Sequence, residues 1–468
     1  MSLTVTLQNA LSGMQAAQAS LSVISSNISN AQTPGYSRET APLTSEVLGG
    51  AGAGVTVGVP QRQVDDNLAR SVRDQNTVSS AATTTDTYYQ QIQSLFGQVN
   101  GGSSLNAVYA NFTAALQTLA TTPEDPVAQT SAVSAGQVLA QSLNNLSSGI
   151  QQVRANADSD LASSVTTLNQ QLQNIATFNG EITRATALGE STAALQDQRD
   201  QALNQVAGLI GVQSFVRPDG SMVVLTTTGK TLVDSTAAQF SYTQAGTVTA
   251  GTPLSKLTVN GLDVTSEVTT GQIGALLNMR DTQLPNLTAE LNQFTNGLYN
   301  ATSASTLGTT DTSPGAGDAN HFFSGVNTAT GVDNAATIQV HPDLLANASL
   351  LDGTTASPDP SISQTLVANA NAATSFSAAG NFQSGTSTTL TSYASQILGQ
   401  TSSAAASATS NAQYQSTLQT SLAARASTVS GVNIDTELAN LTVFQNMYAA
   451  SAHVLTTVNN VFDILLKI

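Results

Sequence analysis

The 468-residue chain contains no cysteine and no tryptophan, and it has few aromatic and few charged residues. Without cysteine the chain cannot form disulfides, thiolate metal sites or a thiol nucleophile. Aromatic residues make up 4% of the chain and charged residues 9%. Bulky core-forming side chains are therefore scarce, and we expect small compact domains beside long helices. The lack of cysteine also suits a protein that leaves the reducing cytosol.

Positive charge is scarce as well. The chain has 13 Lys and Arg against 29 Asp and Glu, a formal net charge of −16, and positions 281–424 contain neither Lys nor Arg. Nucleic-acid partners require a basic patch, so we exclude them. No apolar run approaches the roughly 20 residues that span a bilayer. Because positions 1–37 also lack the basic start of a secretory signal, we expect no membrane insertion, and either a cytosolic protein or export by a route that reads another signal.

The two ends of the chain carry apolar residues at a spacing of seven. This period predicts a helix at 3–31 and another at about 433–468, whose charge-poor faces pair with each other. The C-terminal helix carries a second row of mostly apolar residues at the same spacing of seven. Glu437 and Ser451 are the polar residues that interrupt this second row. Periodicity alone leaves a second interpretation open, namely two ordinary helices docked on a globular core. The nine predicted interface residues are Leu7, Met14, Leu21, Ile28, Ile434, Leu441, Tyr448, Leu455 and Phe462.

Between the ends, the spacing of apolar residues changes from a helical period to the alternating period of strands and back. Helices are predicted at 62–98, 103–121, 126–187, 191–210, 272–307 and 385–430, and strands at 211–268. The predicted fold is mainly α with a β-rich insertion, an α+β multidomain chain of long antiparallel helices with the terminal heptad helices paired. We expect four parts: an axial core of 1–31 with 433–468, an extended connector at 32–60, a helical bundle of 61–210 with 361–432, and a lateral β-containing insertion at 211–360.

Residues that could carry chemistry are few and scattered. His321, His341 and His453 are too far apart in sequence for a convincing metal or catalytic cluster. The acidic and basic residues at 197–200 are interpreted as a solvated ion-pair cluster on one helix rather than as a catalytic carboxylate pair. We therefore predict that the chain is not an enzyme and binds neither a metal nor a cofactor.

Motifs at both ends resemble the flagellar axial family of rod, hook and hook-associated proteins. The N-terminal motif is NALSGMQAAQASLSVISSNISNAQTPGYSRE (9–39), and the C-terminal one is GVNIDTELANLTVFQNMYAASAHVLTTVNNVFDILLKI (431–468). Two internal stretches, GALLNMRDTQLPNLTAELNQF (274–294) and HFFSG (321–325), are similar to the members at the hook–filament junction. The motif residues that carry the N-terminal resemblance are Asn27, Asn30, Pro34, Gly35 and Tyr36.

The resemblance implies a structural subunit that is secreted by the flagellar type III export apparatus and forms the hook–filament junction of the extracellular flagellum. Its implied partners are other copies of the chain in a helical layer, the hook protein below, the second junction protein above, and an export chaperone at the C-terminal helix. We further expect each terminal helix to lack a partner until the polymer supplies one. The alternatives are a hook or distal rod subunit, or a secreted adhesin, which should show tandem β repeats and a secretory signal.

Overall fold

The protein is described by a computed structural model that covers residues 3–48, 51–97, 104–311, 317–328, 331–353, 360–382 and 384–466. Positions 49–50 of the predicted connector lie outside these residues. The helices are α1 (Leu3–Asn30), α2 (Asp66–Phe96), α3 (Leu105–Thr121), α4 (Pro126–Leu188), α5 (Ala193–Leu209), α6 (Gly271–Asn278), α7 (Leu284–Ala301), α8 (Asn334–Thr337), α9 (Pro342–Ala346), α10 (Ser361–Asn371), α11 (Leu390–Ser430) and α12 (Ile434–Leu465). A π-helix (Met279–Gln283) joins α6 to α7, and a 3-10 helix (Ala348–Asp352) follows α9.

The strands form small, separate antiparallel sheets. In the connector, β1 (Glu39–Thr40) pairs with β4 (Gln61–Arg62), and β2 (Leu43–Leu48) with β3 (Ala51–Val57). Two three-stranded sheets follow, one of β5 (Val212–Val216), β6 (Met222–Thr226) and β7 (Thr231–Val233), the other of β8 (Phe240–Ser241), β9 (Thr258–Val259) and β10 (Leu262–Asp263). The remaining pairs are β11 (Phe323–Ser324) with β12 (Gln339–Val340), and β13 (Thr374–Phe376) with β14 (Thr386–Thr388). The predicted fold class, mainly α with a β-containing middle, is confirmed.

The 63-residue helix α4 organises the centre of the molecule. It begins where the Asp125 carboxylate accepts a hydrogen bond from the Val127 N–H, and it ends at Gly189, whose φ of 73° is left-handed. At 1.5 Å per residue it is about 95 Å long. Its continuous apolar stripe packs against α3, α5, α6 and α7.

The two three-stranded sheets lie directly on α4. The Asn169 side chain donates to the Phe240 carbonyl and accepts from the Phe240 N–H, both at 2.8 Å. Asn179 holds Met222 in the same way, at 2.7 and 2.9 Å. Val224 of β6 is fully buried in the same apolar cluster as the α4 stripe. The sheets therefore share one hydrophobic core with the helices instead of having a core of their own.

The two terminal helices pack along each other, as predicted, and they do so within one chain. At residue 13 a Cβ atom would lie 3.1 Å from the Ser451 hydroxyl oxygen, so glycine there permits a close approach of the helices. Ser451, which interrupts the apolar row in the sequence, is the small residue opposite this glycine. The expectation that each helix lacks a partner before assembly is wrong for this structure, because the ends of one chain cover each other.

Candidate assembly interface

The contact between α1 and α12 is built largely from small side chains. The buried residues of α1 are Ala10, Ala16, Ala17, Ser20, Val23, Ile24 and Asn27. On α12, Glu437 and Val458 are buried. Small residues let two helices approach closely, and the buried residues at positions 10, 17 and 24 of α1 also repeat every seven positions.

The nine predicted interface residues lie beside this contact rather than at its centre. Ile434 and Tyr448 are exposed, at 42% and 39% of their surface. The other seven, Leu7, Met14, Leu21, Ile28, Leu441, Leu455 and Phe462, are half-buried. Further large apolar side chains on α12 are exposed: Leu438, Val443, Val454, Val461, Ile464 and Leu465. Exposed apolar surface is typical of an interaction site when it forms a patch, and the role of the nine residues in subunit contacts stays a prediction.

Asn27 ties the end of α1 to the connector and to the start of α12. Its side chain is 1% exposed. The amide nitrogen donates to the Glu39 carbonyl at 2.9 Å and to the Glu437 carboxylate at 3.3 Å. The amide oxygen accepts from the Glu39 N–H and from the Tyr36 hydroxyl, both at 2.9 Å. Burial raises the pKa of Tyr36, so this hydroxyl remains a donor.

A charged pair lies next to this amide. The Arg38 guanidinium donates to the Glu437 carboxylate at 2.6 Å, and the Glu437 side chain is 1% exposed. Arg38 also donates to the Gln63 side chain at 2.9 Å, and its backbone N–H donates to the Ser430 carbonyl at 2.8 Å. Glu437 therefore interrupts the apolar row because it is the counter-ion of Arg38.

The remaining motif residues shape the turn that follows α1. Gly35 has a φ of +79°, and a Cβ atom there would lie 2.4 Å from the Gln201 amide nitrogen. That nitrogen donates to the Pro34 carbonyl at 3.1 Å, which fixes the turn on α5. Asn30 bonds locally, since its amide donates to the Ser26 carbonyl at 3.1 Å. Glycine at 35 is thus required both by the backbone and by the close contact with α5.

The ionic residues of α5 anchor the connector. Arg62 contacts Asp197 at 2.6 Å and Asp200 at 2.8 Å, and the Ser37 N–H donates to Asp197 at 3.0 Å. Asp197 is 4% exposed, so the prediction of a solvated ion-pair cluster is wrong. Arg199 is also buried, and it donates to the Gly220 carbonyl at 2.7 Å on the other side of α5. The connector and the sheet cover this helix from two sides, which the sequence spacing did not reveal.

Sequence reasoning therefore missed Arg38 and Glu437 as interface residues. A signal existed, because Arg38 is the first charged residue of the chain and Glu437 is an acid within an apolar row. Each is unusual alone, and together they have opposite sign. Only the folded chain shows that these two residues, 399 positions apart in the sequence, meet with 2.6 Å between the guanidinium nitrogen and the carboxylate oxygen.

The pairing of β11 with β12 brings His321 and His341 near each other in the backbone, since the His341 N–H donates to the Phe322 carbonyl at 2.9 Å. His341 is buried and caps α9 by accepting from the Asp343 N–H at 3.2 Å. His321 stacks on Tyr299 with 4.1 Å between ring centres, and His453 is exposed on α12. No helix in the described part of the chain combines the length and the apolar character needed to cross a membrane.

Family models match three parts of the chain. Residues 89–320 match the flagellar hook-associated protein FlgK helical domain, residues 7–36 the flagella basal body rod protein, and residues 424–468 the flagellar basal body rod FlgEFG protein C-terminal region. The chain belongs to the flagellar rod, hook and hook-associated protein family. The end matches include α12 and most of α1, and the central match includes α4.

Individual relatives of this family are similar over about half of their own length. Flagellar hook-associated protein 1 of Salmonella typhimurium is 28% identical over 303 residues, which cover 62% of this chain and 54% of that protein. The Bacillus subtilis protein of the same name is 24% identical over 240 residues, 49% of this chain and 47% of the relative. A solved structure, the flagellar hook junction protein FlgK from Burkholderia pseudomallei, covers 51% of this chain and 44% of its own, with a TM-score of 0.44 and 24% identity.

Proposed function

We propose that this chain is a structural subunit of the hook–filament junction of the bacterial flagellum. The observation that carries the proposal is the match of residues 89–320 to a hook-associated helical domain. Rod and hook subunits are the alternative that the matches at the two ends favour. The central match supports the junction over that alternative, since it lies in the part of the chain between the shared ends.

We propose further that the subunit assembles through its terminal helices. The paired α1 and α12 expose several large apolar side chains, and burying them between copies would stabilise a helical layer. In this arrangement the nine interface residues contact neighbouring subunits. The hook protein would bind below and the second junction protein above.

The location and the route to it complete the proposal. The chain would be exported by the flagellar type III apparatus and would lie outside the cell. An export chaperone would bind α12, whose exposed leucine and valine side chains need cover before assembly. Within the polymer, 1–31 with 433–468 would form the axial core, 32–60 the connector, 61–210 with 361–432 the helical bundle, and 211–360 the outward insertion.

Electron microscopy of a strain that lacks this chain tests the proposal. We expect complete hooks without filaments and flagellin released into the medium, both reversed by the wild-type gene. Loss of the hooks themselves would favour the hook or rod alternative. Normal filaments in the deletion strain would overturn the assignment to the junction.

A further inference from the structure

The terminal pair, α1 with α12, is connected to the other helices at two places. One is the connector that follows α1, and the other is the break of three residues between Ser430 of α11 and Ile434 of α12. The break starts at Gly431, where a Cβ atom would lie 2.4 Å from a carbonyl oxygen of α11. The two places are adjacent, because the Arg38 N–H donates to the Ser430 carbonyl at 2.8 Å. Together they form a joint between the terminal pair and the other helices.

Arg62 of β4 makes an ionic contact across this joint. Its guanidinium donates to Asp197 at 2.6 Å and to Asp200 at 2.8 Å, and these two carboxylates are three positions apart on α5. Two further cations act on Asp200, but Arg73 belongs to α2 and Arg199 to α5 itself. Arg62 therefore supplies the positive charge that holds these carboxylates to the connector, and its side chain is only 11% exposed.

Arg62 also compensates two like charges on opposite sides of the joint. Glu39 of β1 is its cross-strand partner, and Asp197 lies on α5. Burial and the Asp197 carboxylate raise the pKa of Glu39, whereas Arg62 lowers it. Like charges that are partly removed from water repel each other more strongly than in water, and a cation beside both offsets that repulsion. Loss of Arg62 would therefore replace an attraction between the connector and α5 by a repulsion.

We infer that Arg62, through Asp197 and Asp200, fixes the angle between the terminal pair and the other helices. The turn after α1 adds two single contacts, since the Ser37 N–H and the Pro34 carbonyl each make one hydrogen bond to a side chain of α5, at 3.0 and 3.1 Å. A single hydrogen bond permits rotation about itself, whereas the rigid fork of a guanidinium bound to two carboxylates defines an orientation. This angle is a property of the single chain and does not depend on the proposed function.

Spin labels on the purified full chain test the inference. Ser416→Cys on α11 and Asn446→Cys on α12 replace exposed residues of a chain that has no cysteine. At 1.5 Å per residue each label lies about 20 Å from the break between the two helices, so the distance between the labels reports the angle. Pulsed electron–electron double resonance measures the distribution of this distance. We expect a narrow distribution with the native Arg62 and one at least twice as wide for Arg62→Met.

Two further variants distinguish the effect of Arg62 on the angle from a general loss of stability. Arg217→Met removes the exposed ion pair with Asp234, outside the joint, and should keep the narrow distribution. Arg62→Met/Asp197→Asn also removes the carboxylate that repels Glu39, so its distribution should be narrower than that of Arg62→Met alone. Hydrogen exchange should show α1 equally protected in every variant.

The inference is overturned if Arg62→Met keeps the native width or if Arg217→Met broadens the distribution equally. Equal widths of the two Arg62 variants would also overturn it, because the carboxylates would then not drive the change. Loss of α1 protection in Arg62→Met would show that Arg62 is needed for the fold of the terminal pair rather than for its angle. None of these results bears on the proposed function, which the deletion strain tests.

Discussion

At the scale of single residues, the Asn27 side chain makes four hydrogen bonds. From its position in α1, its amide bonds to groups of the connector and of α12, and it is almost completely buried. A buried polar group that loses its partner costs more than the hydrogen bond contributes. The amide therefore links three segments that are far apart in sequence but meet in the folded chain.

Replacing this amide should loosen the terminal pair. We expect Asn27→Ala to lower the free energy of unfolding of the terminal region by about 2–4 kcal/mol, because it removes the buried hydrogen bonds to the Glu39 backbone and to the Tyr36 hydroxyl. Hydrogen exchange of amides in α1 measures the loss. Asn30→Ala is the matched control, since the Asn30 side chain bonds only to nearby residues, and it should change exchange little. Equal protection in both variants would contradict the proposed role of Asn27.

The pair of Arg38 and Glu437 should be strongly coupled. Removing one partner leaves the charge of the other without a counter-ion, which destabilises the folded chain. Removing both partners avoids that cost. A double-mutant cycle of Arg38→Met and Glu437→Gln should therefore give a coupling free energy of about 2 kcal/mol in denaturant unfolding. A coupling within error of zero would mean that the 2.6 Å contact contributes nothing to stability.

Glu290 makes the stability of the helical region depend on pH. Burial raises its pKa from the ordinary 4.5 to about 7, against the opposing hydrogen bond from the Asn381 N–H. Because the folded state favours the protonated acid, the stabilisation is fully present below pH 4.5 and is lost as pH rises through 7. Urea unfolding should show the wild type losing about 3 kcal/mol more than Glu290→Gln between pH 4.5 and 8. Parallel curves would show that Glu290 ionises normally.

At the scale of elements, the sequence predicted the long helices well and their partners less well. The predicted helix at 126–187 is observed as Pro126–Leu188, because its apolar stripe is long and Asp125 and Gly189 mark its ends. The predicted helix at 272–307 instead contains a π-helix at Met279–Gln283, where Arg280 reaches Asp158 and Tyr242. Such a contact depends on residues 122 and 38 positions away, and no local periodicity encodes it.

The terminal site shows the same division between local and distant information. Gly35 and Pro34 predict a turn through their own backbone preferences. The link between Arg38 and Glu437, and the burial of Asp197 under the connector, arise only when distant segments meet. Heptad spacing located the helices, and the contact between them is centred on the row with small residues at positions 10 and 17, which allow a closer approach than leucine does.

A charge within the contact between α1 and α12 should separate the two helices. Val458 is 5% exposed and faces α1, while the next residue, Asn459, is exposed. We expect Val458→Asp to cost several kcal/mol by burying an unpaired carboxylate, with loss of α1 protection in hydrogen exchange and loss of motility. Asn459→Asp adds the same charge in solvent and should preserve both. A motile Val458→Asp strain would show that this contact is not needed in the flagellum.

At the scale of the whole molecule, the pairing of α1 with α12 joins the two ends of the chain and makes the rest a long excursion between them. This arrangement admits two connectivities in a polymer. Each chain can pair its own ends, or it can exchange one end with a neighbour, as in domain swapping. The described structure has the first connectivity, and the close contact of Gly13 with Ser451 offers a direct way to distinguish the two.

An engineered disulfide between Gly13→Cys and Ser451→Cys should close within one chain. A Cβ at residue 13 would lie 3.1 Å from the Ser451 hydroxyl oxygen, so a cysteine sulfur in the place of that oxygen would be within reach of a disulfide bond to residue 13. The natural chain has no cysteine to compete. On non-reducing gels we expect a faster-migrating monomer, both for the purified protein and for oxidised flagella. The matched pair Gln15→Cys with Ser451→Cys should remain reduced, since Gln15 is exposed on another side of α1. Covalent dimers and longer ladders from flagella, with closed monomers in the purified protein, would show that the ends are exchanged between neighbours during assembly.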